Sequence, residues 1–237
     1  MKKNKEIEFI AVNNVSKETF DKPQKTSSLI PDWYKKQSKF TTGKMEVGDN
    51  GNPNHTIKAC MPIFDMMTAG YTITLPADVY FEGNGQIKWS TDLLSAVESH
   101  SKDQFNQFSI PEGYEEDIAF KFIQPWIIKT PPGYSTMFIH PTYVPDLPFY
   151  TLPAIVDTDK HPIMVNFPFF LKKGFSGIIP FGTPIVQVIP FKRDSWKSKF
   201  SVSSKSQEEL FQFAKRKLAN RYKTFYRTKK VWEWKKT

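Results

Sequence analysis

The sequence holds a single cysteine, Cys60. An intramolecular disulfide is therefore excluded, and so is any zinc site built on paired thiolates. This scarcity fits a reducing compartment, and the apolar setting of Cys60 reads as a small buried hydrophobe. No apolar run approaches the roughly 20 residues that span a bilayer. The opening MKKNKEIEF is charged and lacks the apolar stretch of a signal peptide, so secretion is not expected. Glycine is scarce, at 11 residues, and none follows Arg193. A glycine-rich phosphate loop is thus missing, and GNG at 83–85 reads as a turn. There is no Gly-x-Ser-x-Gly elbow and no Cys–His pairing of useful spacing. The carboxylates of EGYEEDIAF (112–120) lack the spacing of a calcium loop and read as a solvated loop.

Aromatics and prolines are plentiful, with 21 Phe and 18 Pro. The aromatic content excludes disorder as the general state. The prolines exclude long helices and wide central sheets, because proline donates no backbone hydrogen bond and fixes φ. EIEFIAV (6–12) alternates as a strand does, and SLIPDWYKKQSKF (28–40) predicts a short helix from near Pro31. A short helix is expected at 62–69, closed by Gly70 and followed by a strand from Tyr71. DVYFE and QIKWS form a hairpin pattern across GNG. Residues 92–116 are polar and loop-like, as mobile or interfacial segments are. From 118 to 193 the strands come densely, with Pro or Gly between them at sandwich or barrel spacing. Phe167, Phe169, Phe170, Phe175 and Phe181 read as core or subunit-interface aromatics. The expected organisation is one β-rich domain over 1–205, with its strand-dense core at 118–193, followed by a basic helix and tail over 206–237.

The net charge of +9 is segregated. From residue 215 onward there are ten cations, Lys215, Arg216, Lys217, Arg221, Lys223, Arg227, Lys229, Lys230, Lys235 and Lys236, against Glu233 alone. The preceding body is therefore neutral. SQEEL (206–210) is a capping-box pattern that starts a helix. Phe211, Ala214, Leu218, Tyr222 and Phe225 then recur along one stripe. Basic residues interleaved with aromatics suit a solvated helix face, a neighbouring subunit or nucleic acid.

IVDTDKHP (155–162) gathers two aspartates and a histidine. Three readings stand. It is a hairpin whose aspartates accept backbone amides, a turn presenting Asp157 to a ligand, or part of a metal site with His140, Asp159 and His161. Two histidines and a carboxylate suit iron(II) or zinc, although the histidines lie 21 positions apart.

Three segments resemble, in order, parts of the dUTPase and dCTP-deaminase family of β-clip, distorted jelly-roll barrels. TPPGYSTMF (130–138) is similar to its proline–glycine turn and strand. AIVDTDKHPIMVNF (154–167) is similar to the hairpin that carries its nucleoside-facing aspartate. FGTPIVQVIPF (181–191) is similar to its late glycine turn and strand. The resemblance implies a mainly β fold, Asp157 and Gln187 in a nucleotide pocket, magnesium and a trimer. The family's Arg-Ser-Ser segment has no counterpart, because the corresponding interval reads IHPTYVPDLPFYTLP. More broadly, IPDWYKK, ACMPIFDMMTAGYTITLPADV, TPPGYS, VDTD and FGTPIVQVIPFKR resemble an uncharacterised family encoded mainly by tailed phages. That implies a viral origin, with the host cytoplasm or the virion as location. The leading expectation is a non-enzymatic structural or assembly protein without a cofactor. It would act through contacts with itself or other phage proteins, or with nucleic acid through residues 215–237. The alternative is a magnesium-dependent nucleotide pyrophosphatase.

Overall fold

A computed structural model describes residues 6–48, 53–82, 86–100, 102–105, 108–115 and 119–212. Among them are fourteen strands, three short α-helices and the start of a further helix at 207–212. The chain runs through β1 (Glu8–Ala11), α1 (Asn14–Thr19), β2 (Gln24–Lys25), α2 (Asp32–Lys36), α3 (Met61–Thr68) and β3 (Tyr71–Thr74). Next come β4 (Val79–Phe81), β5 (Ile87–Trp89), β6 (Val97–His100), β7 (Ala119–Phe122), β8 (Trp126–Lys129) and β9 (Tyr134–Ile139). The last strands are β10 (Phe149–Thr151), β11 (Ala154–Val156), β12 (Phe167–Leu171), β13 (Gly177–Ile179) and β14 (Pro184–Lys192).

The architecture is mainly β, as the strand-dense sequence predicts. Four sheets form, with every described pair antiparallel: β1-β8, β10-β12-β7-β6, β11-β9-β14-β3-β2 and β13-β4-β5. They do not close into a barrel. The predicted β4–β5 hairpin is present, with Val79 opposite Trp89 and Phe81 opposite Ile87.

Two compact units divide the chain: residues 1–31 with 67–193, and residues 32–66 with 194–237. The first holds all fourteen strands and one apolar core that draws on every sheet. Phe122 and Phe169 stack there with ring centroids 3.7 Å apart, both fully buried. Phe167 and Phe170 are also buried, whereas Phe181 is about half exposed. β14 is the spine of the five-stranded sheet, because its nine residues pair with β3 on one side and β9 on the other. Gly70 ends α3 with φ +69°, and a Cβ there would lie 2.0 Å from the Val188 carbonyl oxygen, so only glycine fits.

In the second unit, Tyr34 of α2 stacks on Phe64 at 5.9 Å. Asn54 ties a loop together by donating to Thr42 and the Lys44 carbonyl and accepting from the Glu46 amide. Cys60 is only half buried, in contrast to the expectation of a buried hydrophobe. Residues 194–205 have no regular secondary structure, and a helix starts at Gln207. The expected capping box is formed: the Ser206 amide donates to Glu209 Oε2 at 2.8 Å and the Glu209 amide to Ser206 Oγ at 3.2 Å. Among the described residues no helix is long and apolar enough to cross a membrane.

Candidate functional site

IVDTDKHP begins as β11, and its Asp157 amide-side strand residues pair with β9, Val156 opposite Thr136. The chain then tightens into a turn in which the Lys160 and His161 amides both donate to the Asp157 carbonyl at 2.9 Å. The strand's alternation continues into the D-T-D segment. Thr158 is fully buried, and its Oγ1 lies 2.7 Å from Thr130 Oγ1 and 2.9 Å from Thr136 Oγ1. The two aspartates converge instead on Arg193, the residue that follows β14.

Arg193 Nη1 donates to Asp159 Oδ1 at 2.8 Å and Nη2 to Oδ2 at 2.5 Å, a two-pronged pairing that matches guanidinium to carboxylate. Nη1 also lies 3.1 Å from Asp157 Oδ1 and donates to Ser135 Oγ and the Tyr134 carbonyl. Ser135 Oγ donates to Asp157 Oδ1 at 2.6 Å, and the Gly133 amide to Asp159 Oδ2 at 2.8 Å. The hydrogen bond from Arg193, with that from Gly133, holds the Asp159 carboxyl well below the usual carboxylate range. The Ser135 hydrogen bond, then the Arg193 charge, lowers Asp157. Arg193 is raised in turn by Asp159. The arrangement is a charged clasp closing β11, the β9 entry turn and the end of β14.

Gln187 lies elsewhere in the sheet. It is buried, its Nε2 donates to the Ala69 carbonyl and its Oε1 accepts from Thr142 Oγ1, both at 2.8 Å. Ser135, the partner of Asp157, pairs with Phe191, whereas Gln187 pairs with Ile139. Four strand positions separate the two, about 13 Å at 3.3 Å per residue. Asp157 and Gln187 thus stand well apart along the sheet, each with its own protein hydrogen-bond partners.

The metal candidates also lie apart. His140 Nδ1 accepts from the Thr151 amide at 3.2 Å, with its ring against Phe149 and Tyr150. Burial lowers its pKa to about 4. Asp159 is taken by Arg193, and His161 is exposed. Among the described residues no cluster of three His, Cys, Asp or Glu side chains could hold a metal ion. At Asp157 the Arg193 guanidinium and the Ser135 hydroxyl both engage Oδ1.

No protein-family profile, curated protein or solved structure matches the chain.

The basic candidates Lys215, Arg216, Lys217, Arg221, Lys223, Arg227, Lys229 and Lys230 lie outside the described residues. The segment leading to them is described. Trp196, Phe200 and Val202 are 90%, 93% and 97% exposed, and Leu210 and Phe211 are about half exposed. Sequence reasoning missed this apolar segment and the clasp partners Arg193, Ser135, Thr130 and Thr136. The apolar alternation of SWKSKFSV was the available signal for the first; the clasp had none, because its members are distant in sequence.

Proposed function

We propose that the chain is a phage-encoded structural or assembly protein that acts through protein–protein contacts, with residues 194–237 as its contact arm. One observation carries this reading: three large apolar side chains, Trp196, Phe200 and Val202, stand almost wholly in solvent on a single stretch without regular secondary structure. Scattered exposed hydrophobics are ordinary, but three such side chains within seven residues make a concentrated surface of the kind a partner covers. The basic residues beyond it add charge suited to the acidic rim of a partner subunit. No catalytic step is assigned to IVDTDKHP, whose two aspartates serve the clasp.

The competing pyrophosphatase reading needs Asp157 released from Ser135 and Arg193, and cations delivered to a triphosphate from another part of the assembly. Cross-linking mass spectrometry on particles and lysates of the source phage separates the two readings. Cross-links from Lys197, Lys199 or Lys205 to this chain or another particle protein are expected. A chain found free in every fraction overturns the contact reading.

A further inference from the structure

Residues 195–203 have the pattern of a strand but no sheet. Trp196, Ser198, Phe200 and Val202 fall on one face of an extended chain, and Lys197, Lys199 and Ser201 on the other. No glycine or proline interrupts the stretch. None of these residues pairs with any strand among the described residues. A period-two face with Trp196, Phe200 and Val202 each at least 90% exposed is costly in water unless a partner strand receives it.

The same chain carries an edge that fits. β11 ends the five-stranded sheet and pairs with β9 alone. Ile155, Met137 and Ile189 are successive cross-strand neighbours on β11, β9 and β14, forming an apolar row that stops at Ile155, 60% exposed. Two other edges carry charges of the kind that block strand addition, Glu98 on β6 and Lys88 on β5. β11, with Ala154, Ile155 and Val156, carries none. The uncharged edges β10 and β13 are poorer acceptors: Phe149 and Thr151 of β10 are buried, and the exposed row of β13 runs from Ile178 through Tyr80 to Lys88.

Building on the contact reading, we propose that residues 195–203 add as a strand to β11 of a second copy of this chain. Main-chain hydrogen bonds would extend the ladder, and Trp196 or Phe200 would continue the row beyond Ile155. Donor and acceptor on one chain allow reciprocal exchange about a two-fold axis, satisfying both edges at once. Each arm brings two aromatics of about 150–250 Å² apiece. Two arms with their receiving surfaces reach the roughly 1,000 Å² that a specific interface needs. The clasp supports the exchange by fixing the arm's root: the Arg193 amide donates to the Gly133 carbonyl at 2.9 Å while its side chain holds Asp159.

Size-exclusion chromatography with light scattering on the full chain at micromolar concentration tests this. Wild type is expected at twice 27.5 kDa. The double variant Trp196→Ser/Phe200→Ser and the edge variant Ile155→Lys should each fall to the single-chain mass, with melting temperatures measured alongside to confirm folding. Ile178→Lys on β13 should remain two-chain. Single-chain wild type, two-chain behaviour of the arm or β11 variant, or dissociation by Ile178→Lys in place of Ile155→Lys overturns the exchange. If wild type is single-chain but its arm cross-links to another particle protein, the exchange fails and the contact reading survives.

Discussion

Arg193 and Asp159, 34 positions apart in sequence, meet through two hydrogen bonds of 2.8 and 2.5 Å between guanidinium and carboxylate. Asp159 is nearly buried, with 6% of its side chain accessible, while Arg193 keeps a partly solvated edge. The pair fixes the turn after β11 to the end of β14. Asp159→Asn and Arg193→Met should each lower the melting temperature by several degrees. The double variant should cost clearly less than the two effects added, because each single change strands the same partner. A thermal double-mutant cycle measures this; additive effects would mean the pair contributes nothing as a pair.

The clasp also sets an acid limit. Asp159 titrates below its ordinary value of 3.8, so the folded state binds a proton less readily than the unfolded chain. Its contribution is complete above that value and is lost as pH falls through the ordinary value toward the folded one. Urea midpoints should drop in this acid range for wild type, with a shallower drop for Asp159→Asn.

His140 imposes a separate dependence at milder pH. With its pKa lowered to about 4 by burial, it stays neutral in the fold while the unfolded imidazole protonates near 6.5. Stability should therefore decline as pH falls from about 6.5 to 4, and His140→Gln should remove most of that slope. NMR titration of the His140 ring should show its midpoint near 4; a midpoint near 6.5 would contradict the burial argument.

Gly70→Ala should be among the most damaging small changes. It places a Cβ 2.0 Å from the Val188 carbonyl oxygen at a φ of +69°. The expected loss is about 3 kcal/mol or more. Phe169→Ala, which empties a position stacked on Phe122, should cost about 3–5 kcal/mol by urea denaturation.

Much of this fold is legible along the chain. Alternation and Pro/Gly punctuation locate β7, β8, β9 and β11 to β14, because a half-buried strand writes its period into the sequence. Gly70 and the Ser206–Glu209 capping box are legible because their geometry is local. β6 and β10 are not. VESH is polar because it lies at an edge, and its Glu98 pairs with Lys121 across the ladder. β10 is made of good strand formers, Phe149, Tyr150 and Thr151, but it is too short between Pro148 and Pro153 to show a period, and pairing with β12 fixes it. The candidate site is half legible. Asp157 and Asp159 stand out, but what they do depends on Arg193, brought to them by a sheet order that no local spacing encodes.

The central claim is that IVDTDKHP holds the fold together while function resides in the arm. A hydrolysis panel of deoxynucleoside triphosphates with magnesium, run on the purified full chain, tests it most directly. The account predicts no turnover for wild type and none for Asp157→Asn. Turnover by wild type that disappears in a folded Asp157→Asn protein would contradict it and make the turn catalytic.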